Sequence, residues 1–145
     1  MTHSDTLESL LVSSNRLIRI AAQATGNATP SGIWRTLGIL ETEGPLRIGE
    51  LAAASRITQP GMTRLLATMV EDETVSRIAD VEDSRAWLID ITPKGREALE
   101  RWRHELFETL APWFSALDDD EWATLERAAA LLASRTASGA TAVRA

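Results

Sequence analysis

The chain has 145 residues, enough for one domain with a sizeable core, and its 44% hydrophobic and 25% charged content is that of a globular protein. It contains no cysteine, which excludes disulfides, thiolate metal sites and thiol nucleophiles. A net charge of −6 argues against generic coating of nucleic acid or of an anionic membrane, so any DNA recognition must be local and shaped.

The opening "MTHSDTLESLL" has acids where a secretory leader needs basic residues, and no apolar run approaches ~18 residues; a cytoplasmic protein with no membrane partner is expected. Leu7, Leu10, Leu11, Leu17, Ile18 and Ala21 fall on one face of a first helix that Gly26 and Asn27 stop. Thr29 and Pro30 read as the cap and first position of a second helix, whose buried stripe is Ile33, Trp34, Leu37 and Leu40 and which Gly44-Pro45 closes. "RIGELAAAS" predicts a short helix with Ile48, Leu51 and Ala52 inward. After a tight break at Ser55-Arg56 another helix begins, and this pairing has the spacing of a helix-turn-helix.

That second helix opens with "TQPG". Thr58 stands where a cap belongs, and Pro60 falls in the first turn, where a missing amide costs little. Gly61 leaves room for another surface to approach. Met62, Leu65, Leu66 and Met69 follow a helical repeat and must face the core, which leaves Thr58, Gln59, Pro60, Thr63 and Arg64 pointing outward. Gln pairs with adenine, Arg with guanine, and Thr with a phosphate or a thymine methyl, so this helix start has the chemistry of a major-groove reader. The plainer reading of the same residues is a capped surface helix.

"VSRIA" and "RAWLIDI" predict two strands around the turn "DVEDS", with Trp87, Ile89 and Ile91 on one face. Asp80, Glu82 and Asp83 precede Arg85, and an arginine at a hairpin tip suits the narrow minor groove when a carboxylate holds it in place. Thr92-Pro93 caps a long helix carrying Leu99, Trp102, Leu106, Leu110 and Trp113, which Pro112 should kink or break near its end. "LDDDEW" starts a last helix with acids at its positive end, a better account of Asp118 to Glu121 than a metal site. The fold class is therefore mainly α with a small β-hairpin wing: a winged helix-turn-helix lobe over 29–92, dimerisation helices over 1–28 and 93–136, and a disordered tail over 137–145.

The stretches "IGELAAASRITQPGMTRLLATM" and "DVEDSRAWLIDITPKGREAL" resemble the MarR family of dimeric winged helix-turn-helix regulators. The likeness lies in the wing's Asp-x-Arg turn, here Asp83-Ser84-Arg85, and in the strand-to-helix junction Ile91-Thr92-Pro93-Lys94-Gly95. The resemblance implies a homodimer on a pseudo-palindromic double-stranded operator, usually a repressor, with a small aromatic or anionic effector that releases it. It places Thr58, Gln59, Pro60, Thr63 and Arg64 in the major groove, Arg85 in the minor groove, and Asp83 beside Arg85 to orient it. Arg16, Arg19 and Trp34 are candidates for the effector site, although Trp34 also fits the core.

The sequence departs from the family where the recognition helix ends. A basic residue, Gly and Leu are usual there; this chain has Asp72, Glu73 and Thr74. Glu73 must either adopt the left-handed cap conformation, at a cost of about 1 kcal/mol, or end the helix differently. From residue 46 to 85, five arginines (47, 56, 64, 77, 85) stand against seven acids (50, 71, 72, 73, 80, 82, 83), a balance of 5 − 7 = −2. That balance predicts poor binding to random DNA, and it keeps open an alternative: a MarR-like dimer with weak or no DNA binding, acting as a protein-interaction module. No enzyme and no cofactor is expected. His3 and His104 are the only imidazoles, and neither a catalytic triad pattern nor a Gly-rich phosphate loop is present.

Overall fold

A computed structural model describes residues 1–142, with side chains described to residue 137. Six helices and three short strands run in the order α1 (His3–Thr25), α2 (Ser31–Glu43), β1 (Leu46–Arg47), α3 (Ile48–Ser55), α4 (Gln59–Glu71), β2 (Val75–Ala79), β3 (Trp87–Ile91), α5 (Pro93–Leu110) and α6 (Asp119–Ala142). The chain divides into two compact units, Met1–Thr109 and the part from Leu110 onward.

In the first unit, α1 opens on a capping box: Thr2 Oγ1 accepts the Asp5 amide at 3.1 Å, and the Asp5 carboxylate accepts the Thr2 amide at 2.7 Å. Gly26 ends the helix with φ 64°. Of the predicted apolar face, Ala21 is buried, whereas Leu7, Leu11 and Ile18 remain exposed on this single chain. The start of α2 differs from expectation. The Thr29 amide donates to Asn27 Oδ1 at 2.9 Å, and this turn holds Pro30 extended at the cap position with no side-chain cap. Thr29 is thus one residue too early to reach the first-turn amides.

The sheet also exceeds the predicted hairpin. β1 pairs with β3 (Leu46 opposite Ile89, Arg47 opposite Leu88), and β2 pairs with the other edge of β3, all antiparallel in the order β1-β3-β2. Two residues carry no readable alternation, which is why β1 is invisible in the sequence. Leu37, Leu40, Leu51, Met62, Leu66 and Met69 from α2, α3 and α4 close over Val75, Ile89 and Ile91 of the sheet, and Leu99 of α5 completes this core. Trp34 sits at its edge, half-buried, with its ring stacked on Trp102 of α5 at 5.0 Å and 8°.

α5 begins as predicted, with Thr92 Oγ1 accepting the Gly95 amide at 3.0 Å. It stops at Leu110, and Ala111–Phe114, which contains Pro112, forms a single 3-10 turn. In the second unit Asp118 and Glu121 cap each other's amides reciprocally at 2.8 and 3.0 Å, so the acidic run serves as the start of α6. α6 continues to Ala142, through the first residues of the tail expected to be disordered; 143–145 lie outside the described residues.

Candidate nucleic-acid interface

α3 and α4 meet through a turn at Arg56, which adopts φ 56°, a left-handed conformation usually left to glycine. The turn is braced from two sides: the Ile57 amide bonds the Ala52 carbonyl at 3.0 Å, and Arg35 Nη1 of α2 donates to the Ser55 carbonyl at 3.0 Å. With the turn fixed, Met62, Leu66 and Met69 bury one face of α4, and the opposite face at its N-terminal end carries Gln59, Pro60, Thr63 and Arg64, all exposed. Thr58 caps the helix, its Oγ1 accepting the Gly61 amide at 3.2 Å. Gly61 has an internal reason: a Cβ there would lie 3.0 Å from both Ile57 Cγ2 and Thr58 Oγ1, so glycine protects the cap. The Thr63 hydroxyl donates to the Gln59 carbonyl at 3.0 Å, which leaves its methyl and an acceptor lone pair for a ligand.

The far end of α4 resolves the acidic departure. Glu73 takes φ 60°, its amide reaches the Val70 carbonyl at 3.0 Å, and the Thr74 amide reaches the Met69 carbonyl at 2.9 Å. This is the two-bond left-handed helix stop that glycine normally serves. α5 supports it from outside. The Thr92 hydroxyl donates to the Glu73 carbonyl at 2.6 Å, and Lys94 Nζ lies 3.6 Å from the Glu73 carboxylate. The twelve-residue rise from Gln59 to Glu71 is about 18 Å, roughly two Debye lengths at physiological salt, so these acids barely weaken an anion's attraction to the N-terminal end.

The wing loop between Ala79 and Trp87 is ordered by carboxylates in a way the sequence only half discloses. Asp83 Oδ1 accepts the backbone amide of Arg85 at 3.0 Å, so it fixes the chain at Arg85, not the guanidinium. Asp80 takes a different arginine: its Oδ2 accepts from Arg47 Nε at 3.0 Å and Nη2 at 2.7 Å, while Oδ1 accepts the Glu82 amide at 3.0 Å. The Glu82 amide first, then the Arg47 guanidinium, hold the Asp80 carboxyl below the usual carboxylate range, and Asp80 in turn raises Arg47. Arg85 stays exposed at the loop.

A cleft of about 550 Å³ between the start of α3 and the wing brings together Arg47, Ile48, Arg77, Arg85 and Trp87. Arg77 is the residue that the outward-facing set omitted. It lies opposite Ile89 in the β2–β3 register, and alternation from buried Val75 puts it on the inward strand face, so the sequence alone does not place it at the cleft. Of the effector candidates, Arg16 and Arg19 are exposed on α1, and no hydrogen bond, ion pair or ring contact links them to Trp34 among the described residues. One face of the Trp34 ring is already covered by Trp102.

A three-helix core closed by a three-stranded antiparallel sheet, with a hairpin beside the second helix of a helix-turn-helix, is a winged helix-turn-helix. The chain belongs to the MarR family, a family of transcriptional regulators and not of enzymes; the family model matches residues 31–87. It is 32% identical over 89 residues to the uncharacterised HTH-type transcriptional regulator YpoP of Bacillus subtilis, covering 61% of this chain and 63% of that protein. It is 31% identical over 96 residues to the uncharacterised HTH-type regulator Mb0904 of Mycobacterium bovis, covering 66% of this chain and 67% of that one. The matches thus span about two thirds of these relatives' length. The transcriptional regulator Tm0710 from Thermotoga maritima shares the fold, with a TM-score of 0.74 over 95% of this chain and 98% of its own, at 19% identity. No helix among the described residues is long and apolar enough to cross a membrane.

Proposed function

We propose that the protein is a homodimeric, sequence-specific DNA-binding repressor that sits on a pseudo-palindromic operator and is released by a small aromatic or anionic effector. The observation that carries this reading is the capped start of α4, where Thr58, Gln59, Pro60, Thr63 and Arg64 are exposed above a buried face, with Arg85 on the neighbouring wing. Helix N-termini of this kind meet base edges in the major groove, and the first-turn amides favour a phosphate. Dimerisation through the terminal helices is supported by their uncovered apolar residues, among them Leu7, Leu11 and Ile18 on α1 and Trp122, Leu131 and Leu132 on α6.

Electrophoretic mobility shift with the DNA upstream of the protein's own gene tests it. A shift at low salt is expected, and Arg64→Ala should weaken it by roughly ten- to a hundredfold if Arg64 makes a bidentate base contact. The −2 balance of the lobe favours the second reading, a protein-interaction module with weak or no DNA binding; absence of any shift at low salt would sink the first reading.

A further inference from the structure

We propose that Asp80 is a positioning residue for DNA recognition, fastening the wing to the helix-turn-helix through Arg47 so that Arg85 is presented at a fixed distance from α4. The inference rests on the DNA-binding reading above. Strand pairing ends at Ala79 opposite Trp87, and beyond it the loop is closed on itself by the Asp80 amide on the Ala86 carbonyl at 3.2 Å and the Ala86 amide on the Asp83 carbonyl at 3.0 Å. These bonds shape the loop but do not join it to the rest of the lobe. Its one large apolar residue, Val81, is 99% exposed and anchors nothing. Asp80 is the one buried residue between 80 and 85.

Its carboxylate works in two directions. Oδ1 holds the Glu82 amide inside the loop, and Oδ2 receives both Arg47 Nε and Nη2. Arg47 is itself immobilised at the other end. Its backbone pairs with Leu88 in the sheet, stands at the cap of α3, and donates its amide to Glu50 Oε1 at 3.2 Å. The connection therefore runs from α3 through Arg47 and Asp80 to the turn that carries Arg85. An ion pair with its arginine half exposed contributes little net stability. What it does fix is direction, because two guanidinium nitrogens on one oxygen restrict the loop's rotation about its base.

The test uses a duplex selected by the wild-type protein from a randomised pool and measures affinity by fluorescence anisotropy for wild type, Asp80→Asn, Arg85→Ala and the double variant. Asp80→Asn is expected to weaken binding by about five- to tenfold, and the double variant to bind no more weakly than Arg85→Ala alone, because Asp80 acts through Arg85. Losses that multiply, or an Asp80→Asn protein that folds and binds like wild type, overturn the proposal. Where Asp80→Asn does not give a cooperative melt, Arg47→Gln removes the other half of the tie and should show the same non-additivity with Arg85→Ala. Arg64→Ala on the same duplex separates the two readings: a loss there alongside multiplicative losses at 80 and 85 refutes only the positioning role. A wild-type protein that selects no duplex refutes both.

Discussion

Arg56 and Glu73 are the two non-glycine residues with left-handed backbone among those described, and each stops a helix of the DNA-binding lobe. A side chain in that conformation costs roughly 1–2 kcal/mol, which the surroundings must offset. At Glu73 the offset comes from the Thr92 hydroxyl and the paired amides at the end of α4; the exposed Lys94 contact adds little. Glu73→Gly should therefore stabilise the protein by about 1 kcal/mol in urea denaturation, and a destabilised variant would mean that the carboxylate matters more than the backbone. Asp80 sets a different dependence. Its carboxyl is depressed in the folded protein, so its contribution is complete above the ordinary carboxylate value near ~3.9 and is lost as pH falls through the lower folded value. The gap in melting temperature between wild type and Asp80→Asn should be constant from neutral pH down to that ordinary value and shrink below it; a gap that widens on acidification contradicts the assignment.

Among elements, those with several turns or a clear alternation were legible. The core face of α4, the stop at Gly44, both hairpin strands, the Thr92 cap and the break at Pro112 all follow from local chemistry that one short window contains. The elements that were not legible depend on partners distant in sequence. β1 exists because Leu46 and Arg47 lie against Ile89 and Leu88, forty residues on. The Arg47–Asp80 tie spans 33 positions, and nothing near Asp80 in the sequence distinguishes Arg47 from the nearer Arg85 as its partner. Thr29 failed for a local reason: Asn27 Oδ1 holds the Thr29 amide in a turn that leaves Pro30 at the cap position. The candidate site was therefore readable on α4, where one helix face decides the matter, and only partly on the wing, where Arg77 and the role of Asp80 need the register.

For the whole molecule, the apolar residues left on the surface are the decisive quantity. α6 buries no residue fully on its described length, and Leu131 is 61% exposed. A helix with that face in water needs a partner. Light scattering at micromolar concentration should give twice 15.8 kDa, and Leu131→Asp should shift the population toward monomer; a wild-type monomer would remove the dimer from the proposed function. Charge acts at the same scale. With a lobe balance of −2, DNA affinity in the proposed dimer must come from a few well-placed arginines on each copy, so its salt dependence should be shallow.

Gly95 sits buried in the first turn of α5, where any Cβ would drive into the Thr74 carbonyl oxygen. The backbone just past α4 thus rests directly on the backbone of α5, with no side chain between them to change rotamer and absorb a displacement. Mechanically this is a bearing with little clearance: a tilt of α5 would press on the end of α4 at this contact, with little free volume there to absorb it.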